Sequence, residues 1–153
     1  MPLISNAFDT GVVTALCGAI RGYLSALGVS DMPAVVEQAT TGVQALPLVV
    51  VSATELEEMV YQTGNYRVAV EVGLRVDMDA GGSEQLRLLS GALLDCLQQV
   101  DLVAQLNALK DDTGRVLCIV QGLVLEQSRL EDIGDRQWRR VYALNVFGCS
   151  SAG

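Results

Sequence analysis

The chain has no histidine and a single lysine, Lys110. Missing histidine removes the base that most often activates a serine or cysteine nucleophile. Lys110 stands alone at a predicted helix end, so it offers no substitute dyad. The four cysteines, Cys17, Cys96, Cys118 and Cys149, lie far apart with no C-x-x-C pair. With no imidazole to complete a zinc site, they read as thiols; all but Cys149 fall in apolar patterns, where a free thiol packs as a small hydrophobe. No uninterrupted apolar run reaches the ~18 residues of a membrane span. The first nine residues, Met-Pro-Leu-Ile-Ser-Asn-Ala-Phe-Asp, also lack the basic start of a secretory signal. These absences predict a soluble cytoplasmic protein with no membrane partner, no cofactor and no metal.

Phosphate-binding signatures are missing too. Gly81-Gly82 separates a predicted strand from a predicted helix but has neither G-x-G-x-x-G nor G-x-x-x-x-G-K-[ST] spacing, so it reads as a turn. Carboxylates gather at Glu55/Glu57/Glu58, Asp111/Asp112 and Glu131/Asp132/Asp135. All three clusters fall in predicted turns or loops, where solvated surface charge is the expected role. A catalytic reading survives only if one cluster is buried. The net charge of −8 repels nucleic acid over the molecule as a whole.

What is present is pattern. From Tyr66 to Met78, large apolar side chains occupy every even position and Arg67, Ala69, Glu71, Gly73, Arg75 and Asp77 the odd ones. Period-two alternation over thirteen residues predicts a strand about twice the common length of ~5–6, with one buried face and one polar face. An amphipathic helix is predicted over 9–27, capped by Asp9 or Ser5 and ended by Gly28. Residues 29–46 form a connector in which Ala34-Val35-Val36-Glu37-Gln38 suits a helical turn or a short strand. The β-branched run 47–54 reads as a strand covered on both faces and antiparallel to 66–78. Further on, 84–99 and 102–109 read as helices begun by Ser83 and Asp101, and Asp111-Asp112-Thr113-Gly114 as a turn. A third strand is predicted over 116–125 with a bulge or close approach at Gly122. A polar loop over 126–137 leads to a last strand over 138–147, and 150–153 reads as a disordered tail. This order predicts one α+β domain over 1–149: an antiparallel, roughly four-stranded sheet with helices on one face.

Arg129, Arg136, Arg139 and Arg140 surround Trp138. They either pair with Glu131, Asp132 or Asp135 on a solvated edge or form a subunit contact, since Arg and Trp are enriched at interface hot spots. Together with Arg67, Glu71, Arg75 and Asp77 they make the candidate subunit interface. Trp138→Ala is expected to impair assembly more than folding.

The segments also carry a family likeness. Leu46-Pro-Leu-Val-Val-Val is followed by a Tyr-x-Val-x-Val-x-Val strand, then a leucine-rich helix closing on Leu97-Gln-Gln-Val-Asp-Leu102. The chain ends with an acidic loop and Asp135-Arg-Gln-Trp-Arg-Arg-Val-Tyr-Ala-Leu-Asn-Val-Phe147. This succession resembles the neck and tail-completion proteins of tailed bacteriophages, most of all the tail terminator group. The resemblance implies a non-enzymatic virion subunit, assembled in the host cytoplasm into a ring, commonly a hexamer, at the head-proximal end of the tail tube. Its partners would be copies of itself, the tube protein and the head connector, with genome DNA passing through the lumen without sequence-specific binding. The alternative is a small-molecule-binding or regulatory α+β domain of a bacterial cytoplasmic protein, with a pocket between sheet and helices.

Overall fold

The computed structural model describes residues 7–28, 32–37, 46–59, 64–78 and 82–149. The expected tail at 150–153 and much of the 29–46 connector lie outside them.

Helix α1 (Phe8–Leu27) forms on the stripe that its spacing announces: Val12, Leu16, Ile20 and Leu24 are fully buried. Its N-cap is Ala7, with no side-chain cap; Asp9 lies inside the first turn, where its carboxylate suits the positive helix end. Gly28 closes the helix in the left-handed conformation (φ 68°), its N–H bonded to the Ser25 carbonyl. By length and composition alone α1 could cross a membrane (mean hydropathy 1.3), yet half of it is buried against the rest of the fold.

The sheet has five strands rather than about four: β1 (Ala34–Glu37), β2 (Leu48–Glu58), β3 (Asn65–Asp77), β4 (Ile119–Gly134) and β5 (Gln137–Cys149), ordered β1-β2-β3-β5-β4. The four longer strands pair antiparallel. The short β1 runs parallel to β2, Ala34 beside Leu48 and Glu37 beside Val51, which makes the sheet mixed. Of the two readings of 34–38, the strand is correct over Ala34–Glu37.

Two segments read as loops are strand. The acidic stretch after residue 54 continues β2 to Glu58, and the charge-rich stretch 126–134 is the distal half of β4. The β4–β5 connection is just Asp135-Arg136, both at positive φ (52° and 58°), the geometry of a type I′ hairpin turn. Composition misled here because these tracts are mostly exposed at the margins of the sheet. Polar residues occupy both faces, and the period-two signal disappears. The expected bulge at Gly122 is present, as the register shifts between Val120 and Gly122.

Helices α1, α2 (Gly82–Leu97) and α3 (Leu102–Ala108) lie on one face of the sheet, α1 over β1, β2, β3 and β5, α2 over β3 and β5, α3 against β4. Under them sits the even face of β3, with Val68, Val70, Val72, Leu74 and Val76 essentially inaccessible. On β2, Val49 and Val51 are buried under the helices; on the opposite face Leu48 is buried but Val50 only half covered, so the double covering expected for this strand holds at its start alone. The Tyr142 hydroxyl donates to the Ser90 carbonyl at 2.7 Å and ties β5 to α2. Gly148 is needed where β5 passes β4: a Cβ there would meet the Ile119 carbonyl and the Phe8 ring. That ring stacks on Tyr66, centroids 6.4 Å apart.

Candidate subunit interface

The odd positions of β3 share the helix-free face of the sheet with their register partners on β2, β5 and β4, and their charges meet there. Arg67 donates from Nη2 to Glu55 (2.9 Å) and Glu57 (2.7 Å) on β2 and from Nη1 to the Asn145 side chain on β5 (2.8 Å). Asn145 donates in turn to Glu126 on β4 at 2.8 Å. One polar rung therefore crosses four strands.

A second rung joins Glu71, Arg129, Glu131 and Arg139. Arg129 reaches over β5 to Glu71 at 3.0 Å and also binds Glu131, which accepts from Arg139 at 2.7 Å. Hydrogen bonds from Arg129 and Arg139 hold the Glu131 carboxyl below the ordinary carboxylate range, and Glu131 and Glu71 raise the Arg129 guanidinium. Arg75 donates to Gln137 at 2.7 Å. Isolated exposed pairs of this kind contribute only ~0–1 kcal/mol each. Linked across strands, they chiefly lock register and pre-set the direction of each side chain.

The nine candidate residues thus separate. Arg67, Glu71, Arg75, Arg129 and Arg139 come together on the helix-free face, with Asp77 at the end of β3 opposite Gln137. Arg136 occupies the hairpin turn. Trp138 and Arg140 point to the helix side instead, in register with Val76 and Leu74. Trp138 packs on the core, and the Arg140 Nε is buried with no hydrogen-bond partner. Sequence reasoning missed Glu55, Glu57, Glu126 and Asn145, because their part depends on register across strands far apart in the chain.

A depression of about 180 Å³ lies on the helix-free face between Val50, Ser52, Glu71, Arg75 and Arg139. It is smaller than the ~300–1,000 Å³ usual for small-molecule sites. Among the described residues no group of three or more Cys, Asp or Glu is placed to hold a metal ion.

The sheet's edges are treated unevenly. Arg21 donates to the Val35 carbonyl at 2.6 Å beside β1. Asn107 brackets Val120 on β4, donating to its carbonyl (2.9 Å) and accepting from its N–H (2.6 Å), as a neighbouring strand would. Beyond these guards, Ser52–Glu58 on the β1 side of β2 and β4 from Gln121 onward have no strand beside them among the described residues.

No protein-family model and no curated protein matches the sequence. A solved chain from the virion of a native gene transfer agent (GTA) particle matches in structure, with a TM-score of 0.55 and 18% identity, over 90% of this chain and 97% of that one. The two share a fold. The α+β sheet-and-helix architecture is therefore one already found in a subunit of a virion particle.

Proposed function

We propose that the chain is a structural subunit of a phage-like particle, a tail terminator or tail-completion protein. It would assemble into a ring, hexameric in keeping with the family it resembles, at the head-proximal end of the tail tube and join that tube to the head connector. The reading rests on one observation above the others: nearly the whole of a GTA virion chain superposes on nearly the whole of this one. The charged side chains of the helix-free face are in keeping with it, since they are engaged with one another across the strands. In this role the protein works without catalysis or cofactor, and genome DNA passes through the lumen unread.

Arg67, Glu71, Arg75, Arg129 and Arg139 would supply a rigid polar surface, with Asp77, Arg136, Trp138 and Arg140 at the hairpin end as contacts to neighbours. Imaging of particles made with and without the chain tests the role. Without it, tubes of unregulated length and unjoined heads are expected; particles of normal tail length and full head attachment would overturn the proposal. The small-molecule alternative, a pocket between sheet and helices, would use a depression of about 540 Å³ lined by Gln98, Gln99, Val103, Leu123 and Leu125, and ligand-dependent thermal stabilisation of a monomer would favour it.

A further inference from the structure

One positive charge on the helix-free face has no counter-charge. Glu71, Arg129, Glu131 and Arg139 pair among themselves, two arginines with two glutamates. Arg75 stands outside that network, directly opposite Arg139 in the β3–β5 register. Like charges facing each other across antiparallel strands destabilise the pair. Glu131 answers the charge of Arg139, but the side chain bonded to Arg75 is the neutral amide of Gln137. Three arginines against two glutamates leave a local surplus of positive charge on a chain of −8.

The Arg75 guanidinium is also short of hydrogen bonds. Its Nη2 donates to Gln137 at 2.7 Å, and its Nε is buried with no partner. A buried N–H left unpaired on a charged group is costly and rare. Nη1 makes no hydrogen bond and is not buried, so an acceptor from outside the sheet can reach it.

Beside Arg75 the sheet leaves a gap. Gly73 pairs with Val50 on β2 and with Val141 on β5, so a side chain is missing between two valines. Arg75 and Arg139 stand one rung to one side of this gap, and Ser52 and Glu71 one rung to the other. These residues line the depression of about 180 Å³. Nothing local demands a glycine at its floor. A Cβ on Gly73 would meet ordinary contacts, the nearest 3.5 Å away at the Arg139 Cδ. The register also runs past Gly73 on both sides without a bulge. The remaining role of a glycine within a strand is to leave room for a close approach.

We propose that the depression over Gly73 is a binding site for a single oxyanion group, a phosphate or a carboxylate, held by the Arg75 guanidinium. The volume suits one such group and is too small for an organic ligand of ordinary size. A guanidinium is the side chain best shaped to grip either group. Bound there, the anion would also face Arg139 and offset the repulsion between the two arginines. Glu71 on the far wall is already neutralised by Arg129 at 3.0 Å. The site needs one subunit, so it does not depend on the ring reading.

Unfolding midpoints in inorganic phosphate, in acetate and in chloride, compared at equal ionic strength, test the site. At about ten times its dissociation constant the bound anion should raise the midpoint by about 3–6 °C over chloride. Arg75→Gln removes the charge and leaves an amide beside Gln137. Gly73→Val fills the depression, keeps both arginines and suits a strand. Each variant should unfold close to the parent's midpoint in chloride and bind the anion at least ~10-fold more weakly. A larger rise in phosphate assigns the site to a tetrahedral anion, and a larger rise in acetate to a carboxylate. No rise in either anion would overturn the proposal. So would an equal rise in the parent and both variants, which is the general effect of excluded salts on a folded surface.

Discussion

Cys17, Cys96 and Cys118 show how little of a side chain's chemistry is decided by its type. Burial in the core pushes all three thiols up to about 11 from an ordinary 9.0. An unfolded chain would lose these protons near pH 9 while the folded chain keeps them. The contribution of the thiols to stability is thus full below pH 9 and is lost as pH rises toward 11. Unfolding in denaturant should show a midpoint that falls over that interval, and a triple Cys→Ala variant should show a smaller fall. At pH 8 a thiol reagent should modify the half-exposed Cys149 first and the other three only on unfolding. The apolar settings of these three cysteines were legible from their neighbours in sequence, because a residue on a buried stripe is buried with it.

At the scale of elements, the β4–β5 hairpin carries the largest difference between expectation and structure. Its distal half is strand although its composition is that of a loop. Trp138, read as an interface residue, packs against the core next to the hairpin turn, beside Val76. Trp138→Ala should consequently cost about 2 kcal/mol of folding stability, below the ~3–5 kcal/mol of a fully buried aromatic because the ring is only partly covered. Chemical denaturation checks it; a loss below about 0.5 kcal/mol together with failed assembly would return the residue to the interface. Sequence could not separate these outcomes, since an apolar ring at the end of a strand is equally suited to a core or to a partner. The hairpin turn was equally hidden. Asp135-Arg136 lacks the Asn-Gly signature of its turn type, and only the positive φ values reveal it.

For the whole molecule, charge opposes assembly. Each copy carries −8, so bringing copies together adds long-range repulsion that salt screens. Apolar contact between subunits is not weakened by moderate salt. Association in the proposed ring should therefore tighten between about 0.01 and 0.15 M salt, where the screening length falls from about 30 to 8 Å. Sedimentation at both salt levels measures this, and weaker association at the higher salt would assign the joint to ion pairs across subunits instead.

Sequence by itself determined what local periodicity can carry: α1, α2, α3, the alternating β3 and its buried even face, and the glycine that ends α1. These follow from side-chain spacing along a single element, where burial of one face leaves its mark every second or every third to fourth residue. Only the tertiary structure decided the parallel β1, the continuation of β2 to Glu58 and of β4 to Gly134, and the meeting of Arg67 with Glu55, Glu57 and Asn145. Those features depend on register between segments distant in the chain, and residues already polar on both faces record no period. The same physics applies at the edges: Arg21 and Asn107 bond to strand positions that no sequence pattern connects to them.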